Sequence, residues 1–297
     1  MTPLSLPQFS IIVPHHNDLE SLATCLAALE RQTLGRESYE IIVADNASPI
    51  AREKLEAAVA GRARLVNAPI PGAGPARNAG VAASCGTFLA FTDCDCIPEP
   101  HWLEHGLEAL SECDFAGGQM TVLIEGDRPG SGAEAFELVF AFDNRRYVLE
   151  QAFTVTANLF CARAMFDKVG PFKVGVSEDK EWCLRARSLG FRIGYAANAV
   201  VAHPARRNWI ELRKKWDRMT RESYMLWRDQ GRGTARWMIR TWGLLPSILV
   251  HGIRIARAPE LKGFKERGMA FSTLTRSRLH RFVLGHVLVW PLRQGQA

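Results

Sequence analysis

The sequence predicts an α/β fold, a mostly parallel sheet flanked by helices, followed by a basic helical region. Three observations predict it. Short apolar runs alternate with amphipathic stretches over residues 1–203, as in repeated βα units. The chain has 297 residues, 47% hydrophobic and 23% charged, enough for one large or two smaller domains of ordinary globular composition. Charge also changes sign along it. Residues 1–203 hold 17 Lys+Arg and 25 Asp+Glu, net −8, whereas residues 204–297 hold 20 and 6, net +14. That division predicts a body over 1–203 and a separate region over 204–297.

FSIIV, residues 9–13, reads as a buried strand closed by Pro14. Asp18 is a good N-cap, and Leu19, Leu22, Leu26 and Leu29 have helical spacing. YEIIVAD, residues 39–45, is a second buried strand, AREKLEAAVAG a helix stopped by Gly61, and ARLVNA a third strand. PIPGAGPARNAG is a Gly/Pro loop into a helix, with Pro75 suited to the first turn. TFLAFTD, residues 87–93, is a fourth strand. Further on, helices are expected over 100–112, 133–144 and 177–190, and strands over 114–124, 154–163 and 191–204. In such sheets ligands bind beyond the carboxyl ends of the strands, where Pro14, His15, Asn17, Asp45 and Asp93 fall.

FTDCDCIPEP ends an apolar run in two carboxylates, Asp93 and Asp95. Ionised carboxylates there need a cation or solvent, so a divalent metal and a solvated turn are the competing readings. Asp179, in Ser-Glu-Asp at a helix start, is a candidate general base with Glu178 beside it. The plainer reading is first-turn acids favoured by the helix dipole. Read as a continuing strand, 93–96 would turn Cys94 and Cys96 away from the aspartates, as small apolar residues. The seven cysteines lack metal-ligand spacing, which fits a reducing cytosol. The start shows no signal-peptide pattern.

Five motifs stand in order: SIIVPHHND, EIIVADNAS, PGAGPARNAG, FTDCDC and VSEDKEWCLRARSLGF. Over residues 9–203 this set resembles the family 2 glycosyltransferases, inverting enzymes of the GT-A fold that use nucleoside diphosphate-sugars. The resemblance implies a donor site from Pro14, His15, Asn17, Asp45, Asn46, Arg77 and Asp93. Asp45 would accept from a base N–H, and Arg77 would offer a charged fork to phosphate or base edge. Asp93 would face the ribose. Mn²⁺ or Mg²⁺ would be held through Asp95, with late His203 as a second ligand. Asp179 would be the base, positioned with Glu178; Asn158 and Trp182 would border the acceptor. His15-His16 replaces the family's common pair, and Asn46 a frequent second aspartate, so the base stays open. Family habit points to UDP; thymidine and guanosine donors occur in the same fold. The alternatives are a nucleotidyltransferase, against which PHHND after the first strand argues, and a non-catalytic scaffold of the same fold.

The basic region has amphipathic helical spacing from Arg206 and further apolar pieces over 237–257 and 279–292. Its longest uncharged stretch, 241–253, holds 13 residues, too short for a spanning helix of about 20. Arg- and Trp-rich amphipathic helices fit a surface-lying mode. The expectation is a cytoplasmic enzyme, peripheral at the inner face of the membrane, with a lipid-linked or cell-surface glycan acceptor. A solvated helical subdomain is the competing reading, and nucleic acid the weaker partner.

Overall fold

The computed structural model describes residues 6–290; residues 1–5, within the opening segment, and 291–292, the end of the last apolar piece, lie outside them. The chain divides into two compact units. The first runs to Thr121 and adds Phe142–Val174 and Glu178–His203. The second takes Val122–Ala141, Gly175–Ser177 and the chain from Pro204.

The first unit opens β1 (Phe9–His15), α1 (Leu19–Leu29), β2 (Tyr39–Asp45), α2 (Arg52–Val59), β3 (Arg64–Asn67), α3 (Ala73–Ala83), β4 (Phe88–Phe91), β5 (Ile97–Pro98) and α4 (Trp102–Leu110). β1 is buried at every position because both faces of the sheet are covered. Ile11, Val13, Ile41 and Val43 join Leu22, Leu26 and Leu29 of α1 in one core. Ile12, Ile42, Leu89 and Phe91 join Val81 of α3 in the other. A strand buried on both faces reads as a continuous apolar run, which is why FSIIV and EIIV stood out. Asp18 caps α1 as expected, accepting from the Ser21 N–H.

β6 (Phe115–Leu123) follows, then α5 (Gly132–Phe140), α6 (Asn144–Gln151), β7 (Leu159–Ala162), α7 (Arg163–Val169), α8 (Glu178–Ser188) and β8 (Ile193–Pro204). The sheet order is β3-β2-β1-β4-β7-β6-β8-β5. β1 pairs parallel with β2 and β4, and β2 with β3. β7 pairs antiparallel with β4 and β6, and β5 with β8. The expected parallel character therefore describes the half that holds the first four motifs.

Three expected elements differ. Residues 133–144 do not form one helix: α5 ends at Phe140 and Phe142 takes a left-handed φ of 52°. Residues 154–158 are not strand: a 3₁₀ turn over Thr156–Asn158 precedes β7. β4 stops at Phe91, and 92–96 form a turn in which the Cys96 N–H donates to the Asp93 carbonyl at 3.0 Å.

In the second unit, α9 (Trp209–Asp229), α10 (Thr234–Trp242), α11 (Ser247–Arg257) and α12 (Phe264–Val287) accompany α5. Ala133, Phe136 and Val139 of α5 pack with Leu212, Ile255, Ala270 and Leu274. The unit thus begins before Pro204 in sequence, because the apolar stripe of α5 finds its partners there. Glu137 is buried in this unit with the Lys215 ammonium at 2.6 Å and Arg206 N–H donating at 2.7 Å. No helix of the described residues is long and apolar enough to cross a membrane.

Candidate active site

The register aligns the carboxyl ends of β1, β2 and β3: His15 stands opposite Asp45, and Asp45 opposite Asn67. His15 Nδ1 lies 3.0 Å from Asp45 Oδ1, both side chains buried. The Asp18 backbone N–H donates to His15 Nε2 at 3.2 Å. Nε2 therefore accepts, and Nδ1 carries the hydrogen that Asp45 receives. The Ser48 hydroxyl and N–H also donate to Asp45, at 2.5 and 3.2 Å. Burial raises the Asp45 pKa, but the hydrogen bonds from Ser48 and His15 outweigh it and hold the carboxyl below its ordinary value. One lone-pair position on Oδ2 is left by these bonds. Ser48, which sequence reading passed over, braces Asp45 and also accepts from the Asn17 N–H at 2.8 Å.

Asn17 sits in the left-handed region, φ 54°, just past β1, while Pro14 is buried within it. Asn46 Oδ1 accepts from the Gly72 N–H at 3.0 Å, tying the Gly-rich loop to the end of β2. Gly72 itself has φ 126°, a conformation that glycine tolerates and side chains resist.

Arg77 lies on α3, 3% exposed. Its Nη2 donates to Asp93 at 2.5 Å and its Nη1 to Glu178 at 3.0 Å. Burial lowers a guanidinium pKa; the Asp93 and Glu178 charges reverse this and hold Arg77 above its ordinary value. Both Nη atoms of the fork expected to reach phosphate or base thus meet carboxylates, one beyond β4 and one opening α8, while Nε is buried with no hydrogen-bond partner. It draws together segments far apart in sequence. Asp179 follows Glu178 in the first turn of α8, and its Oδ1 accepts from the Lys180 N–H at 2.7 Å.

Asp95 Oδ2 lies 3.2 Å from His203 Nε2. The Asp95 carboxylate, the His203 imidazole and the Cys96 thiol bring their ligand atoms within 4.8 Å of one another. A carboxylate and an imidazole suit a divalent cation whose remaining positions are filled by phosphate oxygens. The turn after β4 overturns, for Cys96, the expectation that both cysteines face away from the aspartates: Cys96 Sγ is 3.8 Å from Asp95 Oδ1, whereas Cys94 packs against the apolar core. Burial pushes the Cys96 thiol well up, with the Asp95 charge adding to it. The ring of Phe142 lies 4.7 Å from that of His203. That contact was invisible in sequence, because it needs the break after α5.

Asn158 and Trp182, expected on the acceptor side, are both fully buried. Asn158 accepts from the Trp102 indole and donates to the Gln119 and Ala199 carbonyls, each at 2.9 Å. The Trp182 indole donates to Gly170 O at 2.9 Å, and its ring packs among Phe115, Phe166 and Phe172. Neither offers an atom to a ligand; both order the core that carries β7 and α8.

Residues 10–170 match the family model for Glycosyl transferase family 2. The chain is 31% identical over 232 residues to Glycosyltransferase AglE of Haloferax volcanii, covering 75% of each chain. It is 27% identical over 214 residues to the Pre-mycofactocin glycosyltransferase of Mycobacterium tuberculosis, covering 68% of this chain and 44% of that one. Among solved structures it resembles the mannosyltransferase PcManGT from Pyrobaculum calidifontis in complex with GDP-Man and Mn²⁺. There the TM-score is 0.63 at 15% identity, over 95% of this chain and 86% of that one. The family match spans more than half of the sequence and the archaeal relative covers three quarters of it: the chain belongs to glycosyl transferase family 2, a glycosyltransferase with the GT-A fold.

Proposed function

We propose that this protein transfers a hexose from a nucleoside diphosphate-sugar to an acceptor hydroxyl with inversion at the anomeric carbon. The observation that carries the reading is the Arg77 fork, which holds the nucleotide-side Asp93 and the helix that bears Asp179 against one buried cation. Asp45, braced by His15 and Ser48, keeps an acceptor position for a base N–H. Asn17 and Asn46 shape the loop beside it. Asp93 faces the ribose while its other contact is Arg77. Asp95 and His203 would hold Mn²⁺ or Mg²⁺, with phosphate oxygens completing the shell. A divalent cation there supplies Lewis-acid charge against the leaving diphosphate. Asp179 takes the acceptor proton during in-line attack, and Glu178, fixed by Arg77, sets the start of α8 that aims it. Arg77 therefore acts as a positioning residue.

UDP is the donor nucleotide we test first; the Pyrobaculum neighbour, solved with GDP-Man, puts GDP beside it. The acceptor in this reading is a lipid-linked or cell-surface glycan intermediate, reached by peripheral attachment to the inner face of a membrane. Supporting that, α10 and α11 leave Ile239, Trp242, Leu249, Val250 and Ile253 more than half exposed. Asp179→Asn should lower transfer by about 10²- to 10⁴-fold, the usual contribution of a general base, while nucleotide binding by calorimetry stays unchanged. Transfer within a few-fold of wild type would remove Asp179 as the base.

A further inference from the structure

We propose that a pocket between α9, α10 and α12 binds the phosphate of an anionic lipid headgroup, giving the second unit a specific phospholipid seat. The inference rests on the membrane reading above and deepens it. The pocket lies wholly within the second unit and holds about 60 Å³, room for one oxyanion rather than a nucleotide. Thr220 and Ser223 line it from α9, Trp237 and Arg240 from α10, and Arg281 from α12. The lining thus brings two guanidinium groups and three hydroxyls from three helices, the Thr241 hydroxyl being committed to the Met238 carbonyl, and no acid lines the pocket.

Two features mark it as built for an anion. The Thr220 hydroxyl oxygen is buried with no hydrogen-bond partner, an unfavourable state that a ligand would relieve. Arg240 makes no ion pair among the described residues; its guanidinium lies 5.8 Å from the Trp227 ring centre and 6.0 Å from that of Trp237. Burial and then the nearby Arg232 push its pKa below the ordinary guanidinium value. An anion would relieve both.

The surroundings select a lipid over a free phosphate. Ile239 and Trp242, which flank Arg240 in sequence, are 72% and 56% exposed. Trp242 packs on Phe282 of α12 at 4.9 Å, one residue from Arg281. Leu249, Val250 and Ile253 project from one face of α11, and Leu279, Val283 and Val287 recur at four-residue spacing on α12, all exposed. Residues 234–290 carry ten Lys+Arg and two Asp+Glu. Exposed apolar side chains next to Arg240 along α10, in a strongly basic field, match the acyl–headgroup boundary of an anionic bilayer.

The test is co-sedimentation of the full chain with phosphatidylcholine vesicles and with vesicles doped with phosphatidylglycerol, for wild type, Arg240→Gln, Thr220→Val and Arg257→Gln. Arg257 is exposed on α11 and does not line the pocket, so it reports the general field, about fivefold per charge. The expected result is tighter wild-type binding to the doped vesicles, a loss for Arg240→Gln clearly beyond that of Arg257→Gln, and a measurable loss for Thr220→Val, which removes no charge. Melting curves exclude misfolding as the cause, and Thr220→Val keeps the test open should Arg240→Gln fail to fold. If the pocket variants lose no more than Arg257→Gln, the pocket proposal falls while the membrane reading stands. If wild type pellets with neither vesicle, both fall. If inorganic phosphate raises the melting temperature through Arg240 while doped vesicles bind no better than neutral ones, the site takes free phosphate and the lipid assignment is wrong.

Discussion

The two units use apolar side chains in opposite ways. In the first, the bulky residues of the strands are fully enclosed: Phe9, Ile11, Ile12, Phe91 and Phe160 have no exposed surface, and charge enters as Arg77 between two carboxylates. In the second, α5 and parts of α9, α11 and α12 close a small core, while α10, α11 and the outer stripe of α12 leave large apolar residues open. These exposed apolar residues are the surface that the proposed membrane attachment would use. The first unit encloses both its apolar side chains and a charged cluster; the second leaves apolar side chains at its surface.

The largest expected break in this contrast is Arg77→Ala. It leaves Asp93 and Glu178 facing each other without their shared cation, and removing one partner of a buried pair costs about 3–5 kcal/mol. Their partial exposure places the effect near the lower end of that range. Urea unfolding reads the loss, and nucleotide binding should fall with it. A loss near zero would mean that the fork organises nothing.

Glu137 sharpens the other side. Burial raises its pKa, but Lys215 and Arg206 outweigh that and hold the carboxyl below its ordinary value. Its folded pKa thus lies below the unfolded one. The stability it contributes is complete above the unfolded value of about 4.3 and is lost as pH falls through the folded value. Glu137→Gln should destabilise the helical unit by about 1–3 kcal/mol at neutral pH and flatten the acid limb of its stability curve, followed by circular dichroism. An unchanged acid limb would move the pH sensitivity elsewhere.

The smallest expected effect is as informative. Ile253→Ser replaces a side chain that is 55% exposed, so thermal stability should shift by less than about 0.5 kcal/mol. Vesicle partitioning should weaken, because burying such a side chain contributes about 1.5–3 kcal/mol. A large stability loss instead would show that α11 is a structural helix and not a docking surface.

Much of the first unit was legible because its signals are local. A continuous apolar run stopped by Pro14 or ending in Asp45 names both the strand and the strand end where ligands gather. Asp18, Pro75 and Glu178 mark helix starts by short-range chemistry. The missed features depend on distant partners. The left-handed Phe142 cuts the helix expected over 133–144 short at Phe140 and lets its ring reach His203. The turn after β4 swings Cys96 back to Asp95. The family resemblance set Asn158 and Trp182 on the acceptor side, but their bonds to Trp102 and Gly170 are made inside the core. Arg77 was expected at the donor site, yet its two carboxylate partners, on either side of a long stretch of chain, could be paired only in three dimensions.

The measurement that tests the central claim most directly is calorimetric titration of the full chain with UDP, GDP and dTDP, each with and without Mn²⁺, on wild type and Asp95→Ala. One nucleotide should bind wild type more tightly with the metal, and Asp95→Ala should abolish this metal-dependent gain. Binding of no nucleotide under either condition, or an undiminished metal effect in Asp95→Ala, would contradict the claim.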